Sequence, residues 1–209
     1  MKKMKKITVL FLFSTLCLSV IAQEKQEFKN IIGVSPFQLA NGVRIKYERL
    51  QNGHFTYGGI LTGYYPNPKY HDYSGIQLAP IARYYFKEKA PKGFYAQAKI
   101  LGGIYSTELE IETYDKPYTP DSERPFIKSE HRRQTFSSFG GGLAIGFQTV
   151  WGDRKRLIID INLGLKYMGD ISATLKDNEE LFPCNHLEDW YFIGPASIID
   201  GLISIGYRF

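Results

Sequence analysis

The stretch that decides the fold is LIIDINLGLKYM, Leu157–Met168. Its odd positions are all apolar or aromatic, whereas its even positions include an acid, an amide and a lysine, at Asp160, Asn162 and Lys166. Successive side chains of a β-strand point to opposite faces of a sheet. The stretch therefore predicts a strand with one apolar face and one polar face.

The same two-residue period recurs along the chain. At the C-terminal end, Ile203 and Ile205 share one face, whereas Asp200 lies on the other. No segment after residue 23 has the period of an amphipathic helix. The predicted strands cover residues 31–40, 43–48, 55–65, 76–86, 94–105, 138–151, 157–168 and 199–209.

The connections between these segments differ in length on the two sides of the predicted sheet. Short turns at residues 51–54, 87–93 and 152–156 lie on one side. The other side has connections at residues 41–42 and 66–73 and two long loops at residues 107–133 and 169–195. Such sorting is typical of outer-membrane barrels. We expect an all-β chain forming an eight-stranded antiparallel up-and-down transmembrane β-barrel. A soluble periplasmic ligand-binding barrel is the rival, with its apolar face turned inward.

Aromatic residues are concentrated near the predicted strand ends, mostly on the apolar face. Their rings favour the headgroup zone of a bilayer, so we expect them to form girdles around the barrel. The short-turn side has Tyr84, Phe86, Phe94, Phe147, Trp151, Tyr207 and Phe209, and the long-loop side has Phe139 and Tyr167.

The N-terminal segment indicates export. Four lysines within the first six residues precede an apolar run at residues 7–21, and Ala22 supplies the small residue of a cleavage site. We expect a signal peptide at residues 1–22 and a barrel domain at residues 23–209, in the cell outer membrane. The 26 basic residues include those four lysines, so 22 remain beside 21 acidic ones. This balance argues against a nucleic-acid partner.

The last strand resembles the closing strand of bacterial outer-membrane barrels. Ile203, Ile205, Tyr207 and Phe209 alternate up to the final residue. The resemblance implies that the barrel-assembly machinery recognises these residues as an assembly signal.

Several short motifs resemble a largely uncharacterised family of short outer-membrane β-barrel proteins of Bacteroidota-type bacteria. The resemblance implies the fold and the location without an activity. The motifs are Asn30-Ile31-Ile32, Lys46-Tyr47-Glu48-Arg49, Arg83-Tyr84-Tyr85-Phe86, Ala90-Pro91-Lys92-Gly93-Phe94-Tyr95, Gly140-Gly141-Gly142, Trp151-Gly152-Asp153 and Ile205-Gly206-Tyr207-Arg208-Phe209.

The polar faces of the predicted strands carry charges of both signs. An eight-stranded barrel is just wide enough to be filled by its own side chains, and a buried charge is costly without a partner. We therefore expect a plugged lumen with an ion-pair network, and a narrow channel along these charges is the alternative. The network residues are Arg44, Lys46, Glu48, Arg83, Lys99, Asp160, Lys166, Asp200 and Arg208.

Three functions are compatible with such a barrel. The first is a structural or surface-interaction role, with loops 107–133 and 169–195 contacting an envelope protein or a surface ligand and the wall contacting outer-membrane lipids. The second is the narrow channel, and the third is a lipid-modifying hydrolase or acyltransferase at the outer leaflet. The third would use His71 as base, Ser74 as nucleophile and Asp72 to orient the histidine.

The chemical evidence for catalysis or metal binding is weak. The spacing of His71, Asp72 and Ser74 matches no known triad, and neighbouring residues on a strand face opposite ways. The Ser129-Glu130-His131 run has the same weakness. Cys184 and His186 are too few ligands for a zinc site. The sequence therefore does not favour an enzyme, and we expect no metal and no other cofactor.

Overall fold

A computed structural model describes residues 28–37, 42–51, 53–66, 72–87, 89–115, 125–152, 154–171, 174–181, 190–192 and 194–209. The predicted signal peptide, His71 and Cys184 with His186 lie outside these ranges. The strands within them are β1 (Asn30–Phe37), β2 (Gly42–Leu50), β3 (Phe55–Tyr64), β4 (Ser74–Tyr85), β5 (Gly93–Tyr114), β6 (Phe126–Trp151), β7 (Leu157–Met168), β8 (Glu179–Leu181) and β9 (Ile199–Arg208). No helix in the described part of the chain is long and apolar enough to cross a membrane.

Eight of these strands form one closed antiparallel barrel. Each of β1 to β6 pairs with the strand that follows it, β7 pairs with β9, and β9 pairs with β1 to close the barrel. Each predicted segment overlaps one of the eight strands. The predicted fold class, an all-β eight-stranded up-and-down barrel, is confirmed.

The side chains point in the sense that a transmembrane barrel requires. In β7, Asp160 and Lys166 are buried in the lumen, whereas Leu163 and Leu165 are 60% and 63% exposed on the outside. In β9, Asp200 is buried and Ile205 is exposed. The soluble barrel with an inward apolar face is therefore wrong for this chain. An apolar exterior around a polar interior is the arrangement of transmembrane barrels.

The prediction of a long loop at residues 107–133 is wrong. β5 and β6 continue their pairing from Thr107↔Gln134 to Tyr114↔Phe126, and β8 pairs with β5 on the other edge. The physical reason is that Leu109 and Ile111 are buried and alternate with glutamates, so this segment also has a face to cover. We call this three-stranded sheet, made of residues 107–114, 126–134 and β8, the extension.

The predicted outer loop at residues 169–195 is also only partly a loop. β8 lies within it, and Trp190 is completely buried in the loop-side mouth of the barrel. Large apolar rings gain free energy when they leave water, and the mouth is lined by other aromatic rings. The chain therefore folds back into the barrel before β9 begins.

Candidate functional site: two ion clusters and an aromatic plug in the lumen

Half of the charged lumen residues form one cluster near the short turns, which we call the turn-side cluster. Lys46 Nζ lies 2.6 Å from Asp160 Oδ2 and 3.3 Å from Glu48 Oε2. Arg83 contacts the same two carboxylates, each at 3.0 Å. Gln148 Oε1 accepts hydrogen bonds from Arg83 at 2.8 Å and from Lys46 at 3.4 Å. Two cations and two carboxylates therefore neutralise one another.

Neutral side chains add further hydrogen bonds to this cluster. Thr56 and Tyr85 donate to Glu48 Oε1 at 2.6 and 3.1 Å. Tyr95 donates to Asp160 Oδ1 at 2.6 Å, and Gln97 Oε1 accepts from Arg83 Nε at 2.8 Å. Buried carboxylates are stabilised when their remaining lone pairs are satisfied.

These neutral partners were not among the predicted lumen residues. Tyr85, Tyr95, Gln97 and Gln148 nevertheless occupy the same strand parity as the charged residues beside them. Strand parity alone therefore identifies them as lumen residues, because every second side chain of a barrel strand points inward. Parity does not tell which residues they contact.

The other cluster lies closer to the loop-side rim, and we call it the loop-side cluster. Arg44 Nη2 lies 2.8 Å from Asp200 Oδ1, and Lys99 Nζ contacts the second oxygen, Oδ2. Lys166 Nζ lies 3.7 Å from Oδ1 and donates to the carbonyl oxygen of Pro195 at 2.8 Å. Three buried cations therefore share one carboxylate.

A glycine in the wall makes room for this cluster. A Cβ at Gly142 would lie 2.8 Å from Lys99 Cε and 2.9 Å from Lys166 Cβ, closer than a real Cβ can approach. The wall strand β6 thus carries no side chain where the two lysines lie. The lack of a side chain at Gly142 allows two ammonium groups to approach the same carboxylate.

Arg208 is the one predicted network residue placed elsewhere. It is half-buried at the turn-side rim, where its Nε donates to the carbonyl oxygen of Phe28 at 2.7 Å. Its guanidinium carbon lies 5.9 Å from the centre of the Phe28 ring. This position belongs to the junction between the first and last strands and not to either cluster.

Above the loop-side cluster, aromatic rings fill the mouth of the barrel. The ring of Trp190 lies 5.2 Å from that of Tyr73, 5.0 Å from that of Tyr105 and 5.3 Å from that of Phe136. The indole nitrogen of Trp190 donates to the carbonyl oxygen of Gly169 at 3.2 Å. We call these four rings the aromatic plug, because they cover the charged lumen on the loop side.

The predicted catalytic residues have other partners where the structure describes them. Asp72 Oδ2 accepts from Arg133 at 2.7 Å, and Ser74 Oγ donates to the carbonyl oxygen of Ser106 at 3.3 Å. In the second candidate run, Ser129 Oγ donates to Glu110 at 2.7 Å. Among the described residues, no three His, Cys, Asp or Glu side chains are grouped to hold a metal ion.

The aromatic residues predicted to form girdles are exposed on the outside of the barrel. On the turn side, the Tyr84 ring lies 4.9 Å from that of Phe55 and 5.9 Å from that of Phe86, and Phe94 lies 4.9 Å from Phe147. The residues of the predicted assembly signal, Ile203, Ile205, Tyr207 and Phe209, are exposed as well.

The extension carries its own ion pairs outside the lumen. Arg132 donates two hydrogen bonds to Glu179 on β8, both at 3.0 Å, and also contacts Glu130. These hydrogen bonds lower the pKa of the Glu179 carboxyl to about 2 and raise the pKa of Arg132. Hydrogen bonds from Lys128 and Arg132 lower the pKa of Glu130 as well. The pair between Arg132 and Glu179 ties β8 to β6 across β5.

No protein-family model and no curated protein matches this chain. Among solved structures, it is similar to the crystal structure of the N-terminal β-barrel domain of Pseudomonas aeruginosa OprF, with 12% sequence identity. The similarity covers 87% of this chain and 96% of that chain, with a TM-score of 0.35. The fold assignment rests on the strand pairing of the chain itself.

Proposed function

We propose that this chain is a small outer-membrane β-barrel with a sealed lumen, and that its role is structural or surface-interacting through the extension. The single observation that carries the proposal is the inverted distribution of side chains. Large apolar residues on the outside, such as Ile100, Leu143 and Ile145, are 70%, 69% and 70% exposed. Burying apolar surface is worth about 25 cal/mol per Å², so a continuous band of this kind is expected to face lipid.

The aromatic girdle supports the same environment. Phe55, Tyr84 and Phe86 are in ring contact on the turn side of the barrel, with Trp151 exposed on a neighbouring part of that rim. Aromatic rings with polar edges prefer the interface between hydrocarbon and water. The girdle therefore marks where the lipid headgroups of one leaflet are expected to lie.

The lumen contacts favour a sealed barrel over a channel. The turn-side cluster joins β2, β4 and β7 by direct ion pairs across the interior. The aromatic plug then covers the loop-side mouth with packed rings. An eight-stranded barrel has little room for water beside such side chains.

The extension supports a role in surface contact. It continues the barrel wall beyond the loop-side rim and exposes Phe126, Ile127 and Lys128 on β6. Partners of this surface would be an envelope protein or a surface ligand. Exposed strand edges are common sites for pairing with another chain.

The last strand of the barrel has the features expected of a recognition signal for membrane assembly. Ile205 and Tyr207 face outward on β9, which completes the barrel by pairing with β1. We propose that the barrel-assembly machinery recognises this strand, and that the chain belongs to the short outer-membrane barrels of Bacteroidota-type bacteria that it resembles.

The first test of this proposal is heat-modifiability. The chain, without residues 1–22, is refolded in detergent and run on a gel with and without boiling. A folded outer-membrane barrel resists the detergent until it is boiled, so we expect two mobilities. A single mobility, together with full solubility in buffer without detergent, would contradict the proposal.

The second test separates the sealed barrel from the channel. The refolded protein is added to planar lipid bilayers, and insertion is confirmed independently by protease protection in vesicles. We expect inserted protein without steady conductance. Reproducible single-channel currents would replace the sealed barrel by the channel.

A further inference from the structure

The two clusters of the lumen differ in their charge balance. The turn-side cluster has two cations and two carboxylates, whereas in the loop-side cluster Arg44, Lys99 and Lys166 face Asp200 alone. All four side chains are less than a tenth exposed. Within the described residues, neither lysine has an ion pair with any other carboxylate. The loop-side cluster therefore has two positive charges in excess.

An excess of buried charge is a large energetic cost unless a counter-charge is present. Removing one partner of a buried pair is strongly destabilising, because a charge is left without compensation. The chain has placed two further cations against a carboxylate that Arg44 already binds. No described side chain supplies a second carboxylate here, so an anion from solution would relieve part of this cost.

A hydrogen-bond donor of the cluster is also unused. Arg44 Nε is fully buried and, among the described residues, has no hydrogen-bond partner. Its Nη1 and Nη2 donate to the carbonyl oxygen of Gly201 and to Asp200. Tyr64 also faces the Arg44 guanidinium, and its hydroxyl donates to Gln77 at 2.6 Å. Buried donors are nearly always satisfied in folded proteins, so an acceptor is expected beside Arg44 Nε, as it is beside Arg83 Nη2 and Gln148 Nε2 of the turn-side cluster.

We propose that the loop-side cluster binds one small inorganic anion of the halide class, through Arg44, Lys99 and Lys166. The halide carries one negative charge and offsets one of the two formal charges in excess. The ligand is compact, because the lumen around it is filled by buried side chains such as Leu202. The aromatic plug separates the cluster from the loop-side solvent. The anion is therefore a resident part of the folded barrel and not an ion in transit.

The direct test uses bromide. The refolded protein is crystallised from detergent with sodium bromide, and anomalous difference maps are calculated at the bromine edge. We expect a peak in the lumen within contact distance of Arg44 and of at least one of the two lysines. A lumen without a peak, in crystals that show bromide elsewhere, would overturn the proposal.

The test in solution compares thermal unfolding in sodium bromide and in sodium gluconate at equal ionic strength. Ligand that binds only the folded state raises the midpoint, by about 5 °C for strong saturation of a domain of this size. We expect this rise for the unchanged protein and its near-complete loss in Lys166→Met. Lys128→Met, which removes an exposed lysine of the extension, is the matched control and keeps the rise.

A tethered carboxylate provides a further variant. Leu202 is buried two residues from Asp200 on the inward face of β9, so Leu202→Glu places a negative charge beside the cluster. We expect this variant to be independent of bromide while it keeps its heat-modifiable mobility. A bromide effect that persists in both Leu202→Glu and Lys166→Met would show that the anion binds elsewhere.

These outcomes are separable from the proposed function. If the protein keeps its heat-modifiable mobility but shows no bromide effect, the proposed anion site is contradicted and the proposed outer-membrane barrel is not. An anion-selective current in planar bilayers would overturn the resident ion, because the anions would then pass through the lumen.

Discussion

The turn-side and loop-side halves of the lumen use the same wall in different ways. On the turn side, Glu48 and Asp160 neutralise Lys46 and Arg83, and neutral hydroxyl and amide groups add further hydrogen bonds. On the loop side, three cations share Asp200, and packed aromatic rings lie above them. One half is electrostatically complete, and the other is not.

The two halves show that the packing of a barrel lumen and the balance of its charges are independent of each other. Both halves are buried to a similar degree, so packing alone does not distinguish them. A complete network is expected to depend on its own residues only, whereas an incomplete one is expected to depend on the surrounding solution.

The largest effect is expected from breaking the complete half. Asp160→Asn removes the carboxylate that Lys46 and Arg83 both contact, and leaves Glu48 to balance two buried cations. We expect a loss of about 3–5 kcal/mol in the free energy of unfolding. Urea unfolding of the refolded protein in lipid vesicles measures it, and the loss is the same in bromide and gluconate.

A double variant checks that this loss comes from the ion pairs. Lys46→Met combined with Asp160→Asn leaves Glu48 and Arg83 as a balanced pair. We expect the combined loss to be smaller than the sum of the two single losses. Additive losses would argue against the coupling.

Asp200→Asn is the counterpart in the other half, and we expect its loss to be smaller in bromide than in gluconate.

The next effect concerns the aromatic plug. Trp190→Ala removes the ring that contacts Tyr73, Tyr105 and Phe136, and large-to-small changes of this kind cost about 3–5 kcal/mol. Vesicle unfolding measures the loss, and planar bilayers show whether the lumen opens. Phe192→Ala, at an exposed ring two residues away, is the control and is expected to be neutral. Equal losses for both variants would contradict a plug.

Much of the barrel could be predicted because one physical rule determines it. In β7, the alternation of Ile161, Leu163 and Leu165 with polar residues already specifies which side meets lipid. The inward positions of Arg44 and Asp200 follow from the same parity. Parity does not specify which charges on different strands meet, because that depends on register and on the length of each side chain.

The extension and the plug were missed for different reasons. Residues 108–112 alternate glutamate with Leu109 and Ile111, so a strand signal was present, but its strong charge resembled that of a solvated loop. Trp190 lies in a segment with no period at all. A single buried ring in an irregular segment is determined by tertiary packing, which local sequence does not encode.

A smaller effect separates the barrel wall from the extension. Leu163 is exposed on the outside of β7 within the apolar band, and an arginine near the bilayer midplane of a barrel costs about 2–4 kcal/mol. We therefore expect Leu163→Arg to destabilise the protein in vesicles. Ile127→Arg, at an exposed position of the extension, is expected to have little effect. A similar loss for both would mean that the extension also lies in lipid.

The smallest effect concerns the ion pair that joins β8 to the extension. Hydrogen bonds from Arg132 lower the pKa of Glu179 to about 2 from its usual value of 4.5. A lowered folded-state pKa means that the pair stabilises the folded state fully above pH 4.5, and that this contribution is lost as the pH falls towards 2. NMR titration in micelles measures the pKa of the Glu179 carboxyl. The amide shift of Glu112, which lies on β5 opposite β8, reports on the pairing of β8 in the same experiment. Glu179→Gln is expected to reduce the pH dependence of the Glu112 shift between these values. A carboxyl that titrates near 4.5 would show that Arg132 does not hold β8 in solution, and the contrast between a self-contained barrel and a pH-sensitive extension would then disappear.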